Sequence, residues 1–127
     1  MIAGRAFNPF EVGVYYKSVE MFGIEGDELV RLYGSFRATA SLAVFKGGTI
    51  WRVESVTPND RGFNAPSCTV VSVKMSAYSH SLRRRQAGIR TFYFYRTDPI
   101  ENYGFTHLSP LEQLACTATE DDTSQHI

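Results

Sequence analysis

Between positions 30 and 44 the chain alternates without letting a helix explain it. Val30, Leu32, Phe36, Ala38, Ala40, Leu42 and Val44 take the even positions, with Gly34 as the only break. Arg31, Ser35, Arg37, Thr39 and Ser41 fill the odd positions between them. Period-two alternation of this length predicts a half-buried β-strand, bent or broken at Gly34. A helix would spread the same polar residues over every face and leave no apolar stripe to bury. A strand with one apolar face needs a second layer, or a sheet that closes on itself. The expectation is therefore an all-β fold, a small β-barrel or sandwich.

The rest of the chain reads as shorter strands and turns. Val12, Val14 and Tyr16 alternate, and Val19 and Met21 continue one residue out of step, which predicts a bulge near Lys17 and Ser18. Gly23, Gly26 and Asp27 mark a turn, and Lys46-Gly47-Gly48 reads as a hairpin turn. Residues 49–56 return as a strand carrying Trp51 and Val53. Prolines 58 and 66, Asn59-Asp60 and Gly62 make residues 57–66 a loop. Thr69, Val71, Val73 and Met75 share one face of a strand over 67–75. Residues 76–88, polar and then basic, show neither period and read as a long loop with a helical turn around Leu82. Residues 89–96 form a strand whose two faces, Thr91-Tyr93-Tyr95 and Phe92-Phe94, both carry aromatic rings. Such a strand is buried on both sides or covered by a partner.

One helix start is explicit. Ser109-Pro110-Leu111-Glu112 combines an N-cap serine, a proline at the first helical position and a glutamate at the third. The expected helix is short and ends at Ala115 or Cys116. This gives one β-rich domain over 1–116, an acidic tail over 117–127, extended terminal arms, and a core containing Val30, Leu32, Phe36, Leu42, Val44, Trp51 and Val53. A chain of 127 residues has the length of a single domain.

Charge narrows the partners. Thirteen basic and thirteen acidic side chains cancel, so no global field draws the chain to DNA or to an anionic membrane. The charges are nonetheless segregated: Glu20, Glu25, Asp27, Glu28 and Glu120, Asp121, Asp122 against Arg83, Arg84, Arg85, Arg90 and Arg96. Arginine outnumbers lysine ten to three, a bias towards forked contacts with carboxylate or phosphate. Cys68 and Cys116, the only cysteines, make no CxxC or zinc spacing and are expected as reduced thiols. Residues 1–10 lack the apolar core of a signal peptide, and no run approaches the ~20 apolar residues of a membrane helix. The expected setting is a host cytoplasm or a particle assembled inside a cell, with no membrane and no small-molecule ligand.

No catalytic constellation emerges. His80, His107 and His126 stand at no metal-ligand spacing, and His107 simply precedes the helix cap. Asp98 and Glu101 are a carboxylate pair by proximity, although Asp98-Pro99 is also an ordinary turn start. No nucleophile elbow, phosphate loop or dinucleotide fingerprint is present, so no catalytic residue, cofactor or metal is expected. The segment from Arg83-Arg84-Arg85 to Arg90-Thr91-Phe92-Tyr93-Phe94-Tyr95-Arg96 has three readings. It is a core strand entered from a basic loop. Alternatively it is a single-stranded nucleic-acid surface, guanidinium on phosphate and rings on bases. In the third reading its arginines pair with Glu25, Asp27 and Glu28 of a neighbouring subunit. Its similarity to the aromatic strand of RNA-recognition motifs lacks their glycine and their βαββαβ order.

Residues 47–60, Gly-Gly-Thr-Ile-Trp-Arg-Val-Glu-Ser-Val-Thr-Pro-Asn-Asp, resemble the head–tail joining (head-closure, or neck) proteins of tailed bacteriophages. There too a glycine turn opens an aromatic-containing strand that ends in a Val-Ser-Pro-Asp-like loop. The resemblance covers about thirty residues with the preceding alternating strand. It implies a non-enzymatic, homo-oligomeric subunit at the portal–tail junction of a virion, and it brings no catalytic residues with it.

Overall fold

The computed structural model describes residues 8–32, 43–58, 68–80, 82–95 and 97–125. Its strands are β1 (Tyr15–Ser18), β2 (Phe22–Glu25), β3 (Glu28–Arg31), β4 (Ala43–Phe45), β5 (Ile50–Pro58), β6 (Cys68–Ser79), β7 (Arg84–Tyr95) and β8 (Phe105–His107). A 3₁₀ turn, Ile100–Tyr103, precedes β8, and an α-helix, α1 (Pro110–Gln125), comes after it. These strands belong to one sheet in the order β4-β2-β3-β7-β6-β5-β1-β8, curled into a half-barrel. The fold is all-β with one C-terminal helix.

Two antiparallel blocks make up the sheet. β5, β6 and β7 form a meander flanked by β1 and β8, and β2 lies between β3 and β4. The blocks meet at one parallel bridge, Glu28 with Ile89, where the Ile89 N–H donates to Asp27 O at 2.9 Å. Gly88 is what lets β3 come so close. A Cβ there would lie 3.0 Å from Leu29 Cβ and 3.2 Å from Leu29 N.

Curling brings strands that are remote in the sheet order face to face. Phe22 of β2 stacks on Phe105 of β8 at 5.0 Å, with five strands between them. Phe10 fills the concavity, its ring centroid 5.0–5.7 Å from those of Tyr16, Phe92, Phe94 and Phe105. Its segment is held in place by Tyr16, whose hydroxyl accepts from Glu11 N and donates to Pro9 O. Burial of that phenol pushes its pKa up. Trp51 is fully buried, with its Nε1–H donating to Ser18 Oγ at 3.0 Å, so the one polar atom of the ring is satisfied.

Several expectations are corrected. Residues 76–88 are not a loop: β6 and β7 pair continuously from Cys68↔Tyr95 to Ser79↔Arg84, and the described residues between them, His80, Leu82 and Arg83, are in turn conformation. Ala77 and Ser79 are buried on the inner face there and Ser76 on the outer one, so small and hydroxylated residues stand where larger apolar ones would mark a strand. Nor do positions 30–44 form one strand, because β3 ends at Arg31 and β4 lies on the opposite edge of β2. Positions 33–42, with Phe36, Leu42 and the Gly34 break, lie outside the described residues. Leu32, Trp51 and Val53 are core residues as expected and Val30 is half-buried, but Val44 is 40% exposed and Phe45 turns inward onto Trp51. A one-residue change of register exchanges the faces.

The expected bulge at Lys17–Ser18 is absent. β1 keeps regular pairing with β5 and ends at Ser18, so the change of parity is the chain leaving one strand for the next; the irregularity sits in β5, between Val53 and Ser55. Lys46-Gly47-Gly48 is a tight turn, with Thr49 N donating to Lys46 O and Gly48 at φ 91°, but β4 and β5 do not pair with each other. It is a corner of the half-barrel rather than a hairpin. β5 continues to Pro58, into the expected 57–66 loop, whose later residues 59–66 lie outside the described residues. Finally, α1 runs to Gln125, past the expected end at Ala115 or Cys116, so the segment read as a tail is helical over most of its length.

Candidate functional site

The sequence-predicted arginines divide into two groups. Arg85 and Arg90 are engaged by their own domain. The Arg85 guanidinium donates to Ser76 O at 3.0 Å and Ser76 Oγ at 3.3 Å. Ser76 Oγ donates in turn to Glu54, which also accepts from Arg52 Nε at 2.6 Å. Burial raises the Glu54 pKa, but these hydrogen bonds and the charges of Arg52 and Arg85 outweigh it and hold the carboxyl below its ordinary value. The result is a four-residue polar network across β5, β6 and β7. Arg90 lies over the rings of Phe22 and Phe92, at 5.4 and 4.8 Å, and donates to Tyr103 O.

Arg83 and Arg84 are different. Both are exposed at the tip of the β6–β7 hairpin beside Leu82, itself 44% exposed. Arg83 is the only non-glycine among the described residues with a positive φ, 53°. Glycine or asparagine is the usual choice there, since a Cβ in the left-handed region costs roughly 1–2 kcal/mol. Arg96 lies outside the described residues. Glu25, Asp27 and Glu28 surround the β2–β3 turn, where Glu25 and Glu28 are cross-strand partners.

The two faces of β7 separate cleanly. Phe92 and Phe94 point into the core, whereas Tyr93 and Tyr95 are 49% and 50% exposed on the convex side. Tyr103 bridges this region to the 3₁₀ turn: its hydroxyl lies 2.7 Å from Asp98 Oδ2 and 2.6 Å from Tyr93 O. Burial first, then the Asp98 carboxylate, drives its pKa well above the ordinary phenol value. Asp98 is thus committed to Tyr103, while exposed His107 packs its ring against Tyr16 at 5.7 Å.

The start of the helix matches its sequence signal, and the remainder of the helix is unusual. Glu112 N donates to Ser109 Oγ and Ser109 N donates to Glu112 Oε1, a complete capping box. Gln113 ties the helix to the sheet, its side-chain amide accepting from Tyr15 N and donating to Tyr15 O. It extends the β1 edge where β8 has ended. Beyond Gln113 the helix stands off, and an open cleft of about 450 Å³ separates Cys116 from Tyr15, Ile50, Tyr78, His80 and Arg85. Neither Cys68 nor Cys116 is in a disulfide. Leu111 and Leu114 are 78% and 66% exposed. Sequence reasoning saw the cap and missed these leucines, whose i, i+3 spacing in an otherwise polar helix was the available signal.

Among the described residues no group of three or more His, Cys, Asp or Glu side chains could hold a metal ion, and no helix is long and apolar enough to cross a membrane. Comparison with protein-family models, with curated proteins and with solved structures returns no match.

Proposed function

We propose that this chain is a structural subunit that acts through contacts with other copies and with neighbouring proteins rather than through chemistry. The observation that carries this reading is the placement of exposed apolar side chains on ordered elements. Leu111 and Leu114 project from α1, and Ile89, Tyr93 and Tyr95 line the convex face of β7. Apolar surface grouped in this way marks interaction sites. The rigid part is the aromatic-filled half-barrel, and the helix and the hairpin tip extend from it. The resemblance of residues 47–60 to head–tail joining proteins points to the neck of a tailed phage particle as the assembly.

Sedimentation of the purified chain tests the reading. The expected result is a defined oligomer at micromolar concentration; a monomer that persists at the highest soluble concentration overturns it. A nucleic-acid role is the second reading, favoured by the half-exposed Tyr93 and Tyr95 rings, which are suited to stacking on bases. Against it, Arg85 and Arg90 are turned to their own protein. Oligonucleotide binding that is lost when both tyrosines become alanine would establish that second reading.

A further inference from the structure

Helix α1 and the β6–β7 tip are opposite in character. The helix sequence includes Glu112, Glu120, Asp121 and Asp122 and no lysine or arginine along its sixteen residues. Three of these acids lie in its C-terminal half, where the helix dipole is itself negative and cations are the favourable neighbours. The tip carries exposed Arg83 and Arg84, and neither guanidinium has an ion-pair or hydrogen-bond partner among the described residues. Each element also has apolar surface in solvent, Leu111 and Leu114 on one and Leu82 on the other.

Direction decides how they can meet. Successive residues turn by about 100° around a helix axis. Gln113 faces β1, and Ala115 and Cys116 face the cleft shared with the chain's own hairpin. Leu114 therefore lies on the remaining face, and Leu111, one turn before Ala115, stands outside the cleft lining; both stay in solvent, uncovered by that hairpin. We infer that α1 of one copy docks, through Leu111 and Leu114 and its acidic charge, on Leu82, Arg83 and Arg84 at the hairpin tip of a second copy. The inference rests on the structural-subunit reading above and specifies its contact. Because the two surfaces differ, the interface is head-to-tail, and repetition closes a ring or extends a filament rather than stopping at a two-fold dimer. The left-handed Arg83 fits this role, since a residue that is costly for the turn is retained where it can present a guanidinium to a partner.

Two variants and their mixture provide the test. Leu111→Ala with Leu114→Ala removes the apolar face and keeps a strong helix former at both positions, and circular dichroism checks that the helix remains. Arg83→Glu with Arg84→Glu reverses the tip on an exposed turn. Each variant alone is expected to weaken assembly at least about tenfold, as loss of paired charges or anchors in an interface does. The mixture retains one intact helix and one intact tip, so native mass spectrometry should find one-to-one dimers and nothing larger. If the wild type assembles and both variants assemble equally well, this docking is wrong while the structural-subunit reading stands. Larger mixed oligomers also overturn the head-to-tail contact. A wild-type chain that remains monomeric overturns both.

Discussion

The β6–β7 hairpin and helix α1 are the longest elements among the described residues, and they are held in opposite ways. The hairpin is stabilised by its own neighbours. Twelve register pairs run along it, Phe92 and Phe94 are buried on its inner face, and the Glu54–Ser76–Arg85 network crosses its outer one. The helix is capped at its start, tied by Gln113, lines an open cleft with Ala115 and Cys116, and continues to Gln125. An isolated helix of this length is marginal in water, because nucleation is costly and propensity adds little. The difference separates what the fold needs from what the proposed assembly would need. Mutations in the paired body of the hairpin should be read out in folding, and mutations at its tip or in the helix in helicity or in the proposed contact.

The largest effect is expected inside the hairpin. Phe92 is 2% exposed and packs on Phe10, Phe94, Phe105 and Tyr103 while Arg90 lies over its other side. Phe92→Ala should cost about 3–5 kcal/mol, visible as a lower denaturation midpoint. Since domains hold only ~5–15 kcal/mol in all, this variant approaches the limit of folding. A loss below about 1 kcal/mol, the level expected of surface positions, would erase the contrast between the hairpin and the helix.

A smaller effect, differently distributed, is expected at the helix cap. Ser109→Ala removes the acceptor for Glu112 N and should cost the helix about 1 kcal/mol. If the helix is coupled to the half-barrel mainly through Gln113, the loss appears in far-ultraviolet dichroism while the melting of the aromatic core, followed by near-ultraviolet dichroism, stays in place. Equal shifts in both signals would mean that α1 and the sheet unfold as one unit.

The same division governs what the sequence could reveal. Local signals were readable wherever one short motif determines one structure. The capping box at Ser109–Glu112 and the inward Val71, Val73 and Met75 appear as expected, and a turn forms at Gly48 although not the hairpin read there. The hairpin was hidden because its far half buries Ser76, Ala77 and Ser79, and the Ser76 hydroxyl is satisfied by Glu54 and Arg85 from other strands. Only the three-dimensional pairing makes those residues part of a strand. The position of Phe45 was hidden for a related reason. β4 pairs with β2, across the 33–42 segment, so the parity counted from Val30 carries no information about it. Helix length was obscured by chemistry, because acids towards a C-terminus read as a stop against the dipole. The candidate contact residues were legible only as composition: five arginines stood out together, and geometry alone distinguishes exposed Arg83 and Arg84 from Arg85 and Arg90.

The finest contrast is in pH. Glu112 is held below the ordinary carboxyl pKa first by the hydrogen bond from Ser109 N, then by that with the Ser109 side chain, with a further contribution from the charge of Lys17 at 3.8 Å. A carboxyl with a depressed folded pKa contributes stability that is present above its unfolded value and disappears as pH falls through the folded one. Tyr103 has the opposite sign. Its raised pKa contributes stability below the ordinary phenol value that is lost as the unfolded chain ionises in alkali. The helix start should therefore loosen on the acid side and the 3₁₀ turn on the alkaline side. Acid also neutralises the carboxylates nearer the helix C-terminus, which favours the helix, so the wild-type titration alone mixes two opposing effects. Glu112→Gln separates them. Glutamine retains the reach back to Ser109 N and has no charge to lose, while the C-terminal acids are unchanged. Subtracting its helical signal from that of the wild type, between neutral pH and the carboxyl range, should leave a decline with falling pH attributable to Glu112 alone. A flat difference would show that the Glu112 side chain does not hold the cap in solution.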